Sequence, residues 1–184
     1  MTTFISMDGE FSGLDHTKYE LISIGLCDCY NLNDVLYLEI QPTKFLDPQA
    51  TAIHGLQRDY LLQNGKPREQ AAKEIHQWLT ARKKGDLIFV GYPVVLDWIF
   101  LDQLFKEHGL DNPFHYEQMD IHSMGVALLG LKPGFPHETL RRELGLKKQT
   151  DKHNALADAR HQAEEFVALT KLAESLRTVE VEES

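Results

Sequence analysis

The chain has 184 residues, with 42% apolar and 26% charged side chains and a net charge of −9. That is one domain's worth of ordinary globular composition. No apolar run approaches the roughly 20 residues of a membrane span, and the negative charge argues against a protein that coats nucleic acid by phosphate neutralisation.

The chain begins directly in a β-prone segment, with no basic and apolar leader pattern, so no signal peptide is expected. Thr3 to Met7 predicts a short buried strand, and two carboxylates, Asp8 and Glu10, follow at i and i+2. In extended backbone that spacing puts both on one face. Close carboxylates repel, and a hard divalent cation such as Mg²⁺ or Mn²⁺ relieves that repulsion. A polar turn at Gly9 and Gly13 is the plainer alternative.

Glu20 to Cys29 predicts a second strand, joined to the first by a polar turn at Asp15–Lys18. The two cysteines, Cys27 and Cys29, alternate on it, which disfavours a mutual disulfide and suits a reducing cytoplasm. Turn residues Asn31, Asn33 and Asp34 precede a third strand at Val35–Gln41. Pro42 and Pro48 mark an irregular stretch through Leu56. Pro67 opens a helix with Ala71, Ala72, Ile75 and Leu79 on one stripe, ending at Gly85. Leu87–Tyr92 is nearly all apolar, as in a strand buried on both faces. A helix at Val94–His108, an extended segment near His115–Ile121 and short helices at His122–Leu129 and His137–Leu144 follow. The last helix is predicted from Asn154 to Leu176. The pattern is an α/β domain, residues 1–175, followed by a frayed acidic tail, 176–184.

Further acidic positions join the first pair. Asp97 is a lone charge in an apolar run at the start of a helix after a buried strand, where α/β sheets build their sites. Asp158 lies about one turn into the last helix, with Asn154 as N-cap and His153 just outside.

With these residues in view, the chain resembles the DnaQ-like (DEDDh) 3′→5′ exonucleases of the ribonuclease H-like fold. Asp8 and Glu10 match the first motif, Asp97 the second, and His153 with Asp158 the third. Ala52–Leu56 matches the family's Ile-His-Gly element. The likeness spans roughly residues 3 to 172. It departs at Tyr92 and Pro93, where many relatives carry His-Asn, and at Gly9, where threonine is common. The Asp-Gly-Glu-Phe-Ser-Gly run looks like poly(A)-specific deadenylases, whereas Ile-His-Gly is closer to proofreading exonucleases.

The resemblance implies a mixed five-stranded sheet, its first three strands antiparallel and the later ones parallel crossovers, flanked by helices. It implies hydrolysis at single-stranded DNA or RNA 3′ ends with release of nucleoside 5′-monophosphates. Two divalent ions, Mg²⁺ or Mn²⁺, would be held by Asp8, Glu10, Asp97 and Asp158. His153 would be the general base. Phe11, Leu14, Ile53 and His54 would meet the 3′-terminal nucleotides, although Phe11 and Leu14 also read as ordinary core. Arg141, Arg142, Lys147, Lys148 and Lys152 form either a phosphate track or a solvated face. Relatives occur as homodimers or as subunits of larger assemblies. Two further readings stand beside this one: a phosphoesterase acting on very short oligonucleotides, and a catalytically silent nucleic-acid-binding or partner module.

Overall fold

The structure, a computed structural model, describes residues 2–149 and 154–182, with side chains through residue 177. Five strands form one sheet in the order β3-β2-β1-β4-β5. β1 (Thr3–Phe11), β2 (Leu21–Asp28) and β3 (Asn31–Glu39) make an antiparallel meander. β4 (Leu87–Gly91) and β5 (Gln118–Asp120) add on parallel, after crossovers through α3 (Arg68–Arg82) and α4 (Val94–Glu107). Parallel neighbours require such crossovers, and helices on both faces explain why β4 is buried at every position. This is the ribonuclease H-like mixed sheet that the sequence implied.

One face of the sheet packs on α3 and α4, with Ile5, Met7, Phe89, Phe100 and Phe105 at its centre. The other face packs on α7 (Ala155–Glu182), where Ala159, Ala163, Phe166 and Leu169 meet Cys27, Cys29 and Val90. Both cysteines are therefore buried and free.

Several boundaries differ from the sequence expectation. β1 does not stop at Met7: pairing with β2 carries it through Asp8↔Gly25 and Glu10↔Ser23 to Phe11, so both carboxylates lie inside the strand. The second hairpin turns at Cys29–Tyr30, not at Asn31–Asp34. Asp28 Oδ1 accepts the amides of Tyr30 (2.8 Å) and Asn31 (3.1 Å), closing the chain early. The stretch expected to be irregular holds two short helices, α1 (Pro48–His54) and α2 (Arg58–Asn64). Asp47 caps α1 by accepting from Gln49 N, and Pro48 occupies its first turn. The last helix runs past Leu176 to Glu182, so most of the expected tail is helical. The short helices α5 (Ile121–Leu129) and α6 (His137–Glu143) stand close to expectation.

The position of α7 depends on Gly25. A Cβ there would overlap the backbone of Ala155 and come within 2.5 Å of Leu156 Cα. Only glycine lets the start of the helix lie flush against the strand. We expect Gly25→Ala to lower stability by about 1–3 kcal/mol, the usual scale of overpacking, in urea unfolding. It should also weaken Mn²⁺ binding by calorimetry, because α7 is displaced with Asp158 on it. Wild-type values for both would show that the helix is not seated there.

Candidate active site

The carboxylates converge from three elements. β1 supplies Asp8 and Glu10 at the C-terminal end of the sheet's central strand. α7 supplies Asp158 from its first turn, where Asn154 O accepts from Asp158 N (2.9 Å) and Asn154 Oδ1 accepts from Ala157 N (3.1 Å), the N-cap that the sequence predicted. Oxygens of Asp8, Glu10 and Asp158 all lie within 4.8 Å of one another.

Asp97 comes from the first turn of α4 and is 7% exposed. Its Oδ1 accepts the Gly9 backbone N–H at 2.8 Å, which ties the helix to the residue between the two β1 carboxylates. Asp97 thus stands beside the cluster, with one oxygen committed to the strand.

This corner is electrostatically uncomfortable without a cation. Burial, followed by the charges of Asp97, Asp158 and Glu10, pushes Asp8 well above the usual carboxylate range; a hydrogen bond from Gln162 pulls the other way. Burial and then Asp158 push Glu10 up to about 7. Burial chiefly pushes Asp97 up to about 8, against the hydrogen bonds that favour its charged form. The helix N-termini behind Asp97 and Asp158 offset part of this strain. Hard oxygen donors at this spacing, held in a partly desolvated corner, suit a divalent cation.

Two glutamines that the sequence reading missed touch the cluster. Gln162 Nε2 donates to Asp8 Oδ1 at 2.8 Å, and Gln149 Nε2 donates to Asp158 Oδ1. Gln162 had a legible signal, since it lies four residues after Asp158 on the same helical face. Gln149 had none.

The other expected residues divide. His153 lies outside the described residues, as does Lys152. Leu14 is 73% exposed and Ile53 61% exposed, so both are open to a ligand. His54 is half-buried at the end of α1, its Nδ1 accepting the Leu56 N–H at 3.0 Å. Phe11 is half-buried: its ring stacks on Phe100 with centroids 4.2 Å apart, and it packs against the core. Arg141 leaves the expected phosphate track as well. It is 2% exposed and bonds Glu165 (2.9 Å), Glu164 (2.9 Å) and the Lys147 carbonyl (2.7 Å). Tyr92, the departure from His-Asn, stacks on His137 at 4.3 Å and donates to the Phe135 carbonyl (3.3 Å).

A ribonuclease H-like sheet with acidic residues gathered at the end of its central strand defines a nuclease scaffold. The exonuclease family model RNase_T matches residues 5–166, and the chain belongs to that family. It is a DnaQ-like 3′→5′ exonuclease that acts on nucleic acids. It is 32% identical over 177 residues to the 3′-5′ DNA exonuclease Cap18 of Escherichia coli, covering 93% of each chain. It is 26% identical over 184 residues to the PolC-type DNA polymerase III of Thermotoga maritima, covering 98% of this chain and 13% of that one. Among solved structures, E. coli Exonuclease I in complex with a dA16 oligonucleotide aligns with a TM-score of 0.75 at 18% identity. The zinc-bound form of the E. coli Exonuclease I–single-stranded DNA complex aligns at 0.74 and 20%. The chain covers 97% and 95% of itself in these two alignments but only 43% and 41% of those chains. The exonuclease family implies dependence on a divalent metal, which the acidic cluster fits. Among the described residues no helix is long and apolar enough to cross a membrane.

The raised carboxylates fix the sign of a pH effect. Unfolded carboxylates titrate near pH 4, whereas Glu10 and Asp97 hold their protons to about 7 and about 8. Between those limits the folded state binds more protons than the unfolded chain, so stability falls as pH rises. The melting temperature of EDTA-treated protein should therefore drop from pH 5 to pH 8. Added Mn²⁺ should raise it more at pH 8 than at pH 5. A flat metal-free profile with equal Mn²⁺ increments would contradict the assignment.

Proposed function

We propose that this enzyme removes nucleoside 5′-monophosphates from the 3′ ends of single-stranded nucleic acid with two divalent ions, Mg²⁺ or Mn²⁺. The observation that carries the reading is the meeting of Asp8 and Glu10 with Asp158, drawn from β1 and α7 to within 4.8 Å. Its 32% identical relative is a 3′-5′ DNA exonuclease, which supports DNA as the first substrate to test, with RNA as the comparison.

When bound, the two ions supply an activated water and neutralise charge that develops on the phosphate and leaving oxygen. Asp8, Glu10 and Asp158 would hold one ion, and Asp8 would also help hold the other. Asp97, braced by the Gly9 N–H, would hold that second ion through water. His153 would take the proton of the attacking water at an imidazole nitrogen, a role suited to imidazole, whose unperturbed pKa in general is about 6.5. The exposed side chains of Leu14 and Ile53 would pack on the terminal bases, which any sequence allows. His54 would approach the terminal sugar or base.

Residues 1–175 would form a single catalytic domain, acting as a homodimer or within a larger assembly. The buried, unpaired cysteines suit a reducing compartment, and we assign the enzyme to the cytoplasm.

A 5′-labelled single-stranded 20-mer should shorten stepwise with Mg²⁺ or Mn²⁺, show no turnover in EDTA, and resist when its 3′ end carries a phosphate. Full turnover after exhaustive chelation, or cleavage of a circular strand at a similar rate, would overturn this reading. Dinucleotides run in parallel separate it from a phosphoesterase restricted to very short oligonucleotides.

His153→Ala should lose roughly 10²–10⁴ in turnover, the range for a positioned general base, while still binding Mn²⁺. Wild-type activity should rise as the imidazole is freed, through about pH 6–7.5. Unchanged turnover and pH profile in the mutant would remove His153 from the mechanism.

A further inference from the structure

Gln162 is an uncharged side chain buried where charge is concentrated. It is 3% exposed and sits one turn beyond Asp158 on α7. Its Nε2 donates to Asp8 Oδ1 at 2.8 Å, and its Oε1 is buried without a hydrogen-bond partner among the described residues. The amide has only one sensible orientation. With Asp8 ionised, as cation binding requires, reversing it would set Oε1 against a carboxylate oxygen, two acceptors face to face. A buried acceptor without a donor is costly, and natural proteins rarely leave one without reason.

Resting on the metal-site reading above, we propose that Gln162 is a positioning residue for the cation site. Its N–H fixes the rotamer of Asp8, and its carbonyl oxygen is reserved for a water of the bound ion's hydration shell. Coordinated water is a strong donor, and small divalent ions keep several waters. Outer partners that orient ligating carboxylates govern affinity in this way.

The residue type follows from the same reasoning. A lysine or arginine here would pair with Asp8, relieve its repulsion permanently and compete with the cation. A leucine would fill the space but leave Asp8 free to rotate. An amide orients the carboxylate and adds no charge. Among the described residues no ion pair reaches Asp8, Glu10 or Asp97, so no cationic side chain competes there with the metal.

The test uses the full chain with Mn²⁺ alone as the calorimetric probe, and melting in EDTA as the second readout. Gln162→Leu should stay folded by circular dichroism and weaken Mn²⁺ binding about 10–100-fold. Its kcat should recover at high Mn²⁺, with the KM for an oligonucleotide unchanged. Gln162→Lys should move the two readouts in opposite directions: a higher melting temperature in EDTA, because its ammonium pairs with Asp8, and Mn²⁺ binding at least as weak as in the leucine variant. A folded Gln162→Leu that binds Mn²⁺ within about twofold of wild type would overturn the proposal. So would a Gln162→Lys variant that loses stability and affinity together, the mark of a residue that only packs. Wild-type protein that binds no Mn²⁺ would overturn the metal reading itself, and this role with it.

Discussion

The active corner depends on one close contact between backbones. β2 presents Gly25 to the start of α7, and the helix settles where any side chain would stand in its way. Gly25 is also the residue directly opposite Asp8 in the β1–β2 pairing. A single missing Cβ therefore sets how near α7 comes to the strand that carries the first two carboxylates. Ala155, Ala159 and Ala163 extend the fit along the helix, keeping bulk low where it lies on the sheet. Without that approach, Asp158 would stand off from Asp8 and Glu10, and the cluster would be a pair.

Bringing acids together costs stability, and the rest of the fold is arranged to bear it. The core beneath β1 and β4 is close-packed and aromatic, with Phe11 stacked on Phe100 and Phe89 edge-on to Phe114. Two buried arginines brace the flanks. Arg68 bonds the Leu21 carbonyl and pairs with Glu20 and Glu107, joining α3 to the start of β2 and the end of α4. Arg141 ties α6 and the following turn to Glu164 and Glu165 on α7. Among the described residues neither guanidinium is paired with Asp8, Glu10 or Asp97. Breaking such buried pairs by removing one partner is strongly destabilising, so they set geometry firmly. The charge of these two guanidinium groups goes to fixing the frame.

α1 and the loop after β1 are built differently. α1 has no buried residue and is anchored mainly at its start, where Asp47 N donates to the Ser12 carbonyl at 2.7 Å. It carries exposed Ile53 and half-buried His54. Leu14 stands exposed on the loop after β1. A rigid sheet and paired helices hold the carboxylates, while lightly packed segments expose apolar side chains. That division suits an enzyme whose chemical groups need fixed geometry and whose substrate changes with every base removed.

Local patterns in the sequence determined a good deal. The i, i+2 spacing put Asp8 and Glu10 on one face, the apolar run Leu87–Tyr92 marked a central strand, and Asn154 before an alanine-rich helix placed Asp158 in its first turn. Each rests on a short-range rule of periodicity or capping. The same kind of signal was present and overlooked at Asp47-Pro48, where a cap followed by proline opens α1. Other features were decided only by tertiary packing. β1 continued through its acids because β2 supplied hydrogen-bond partners to Phe11, although acids and glycines are poor strand formers on their own. Phe11 became half-buried against the core because Phe100 arrived from α4, and Arg141 left the surface because Glu164 and Glu165 came from α7. The amides of Gln149 and Gln162 reached the carboxylates for the same reason. Sequence spacing specifies what lies along one element. Which side chains meet across elements is set by how closely the backbones pack, and here Gly25 decides that.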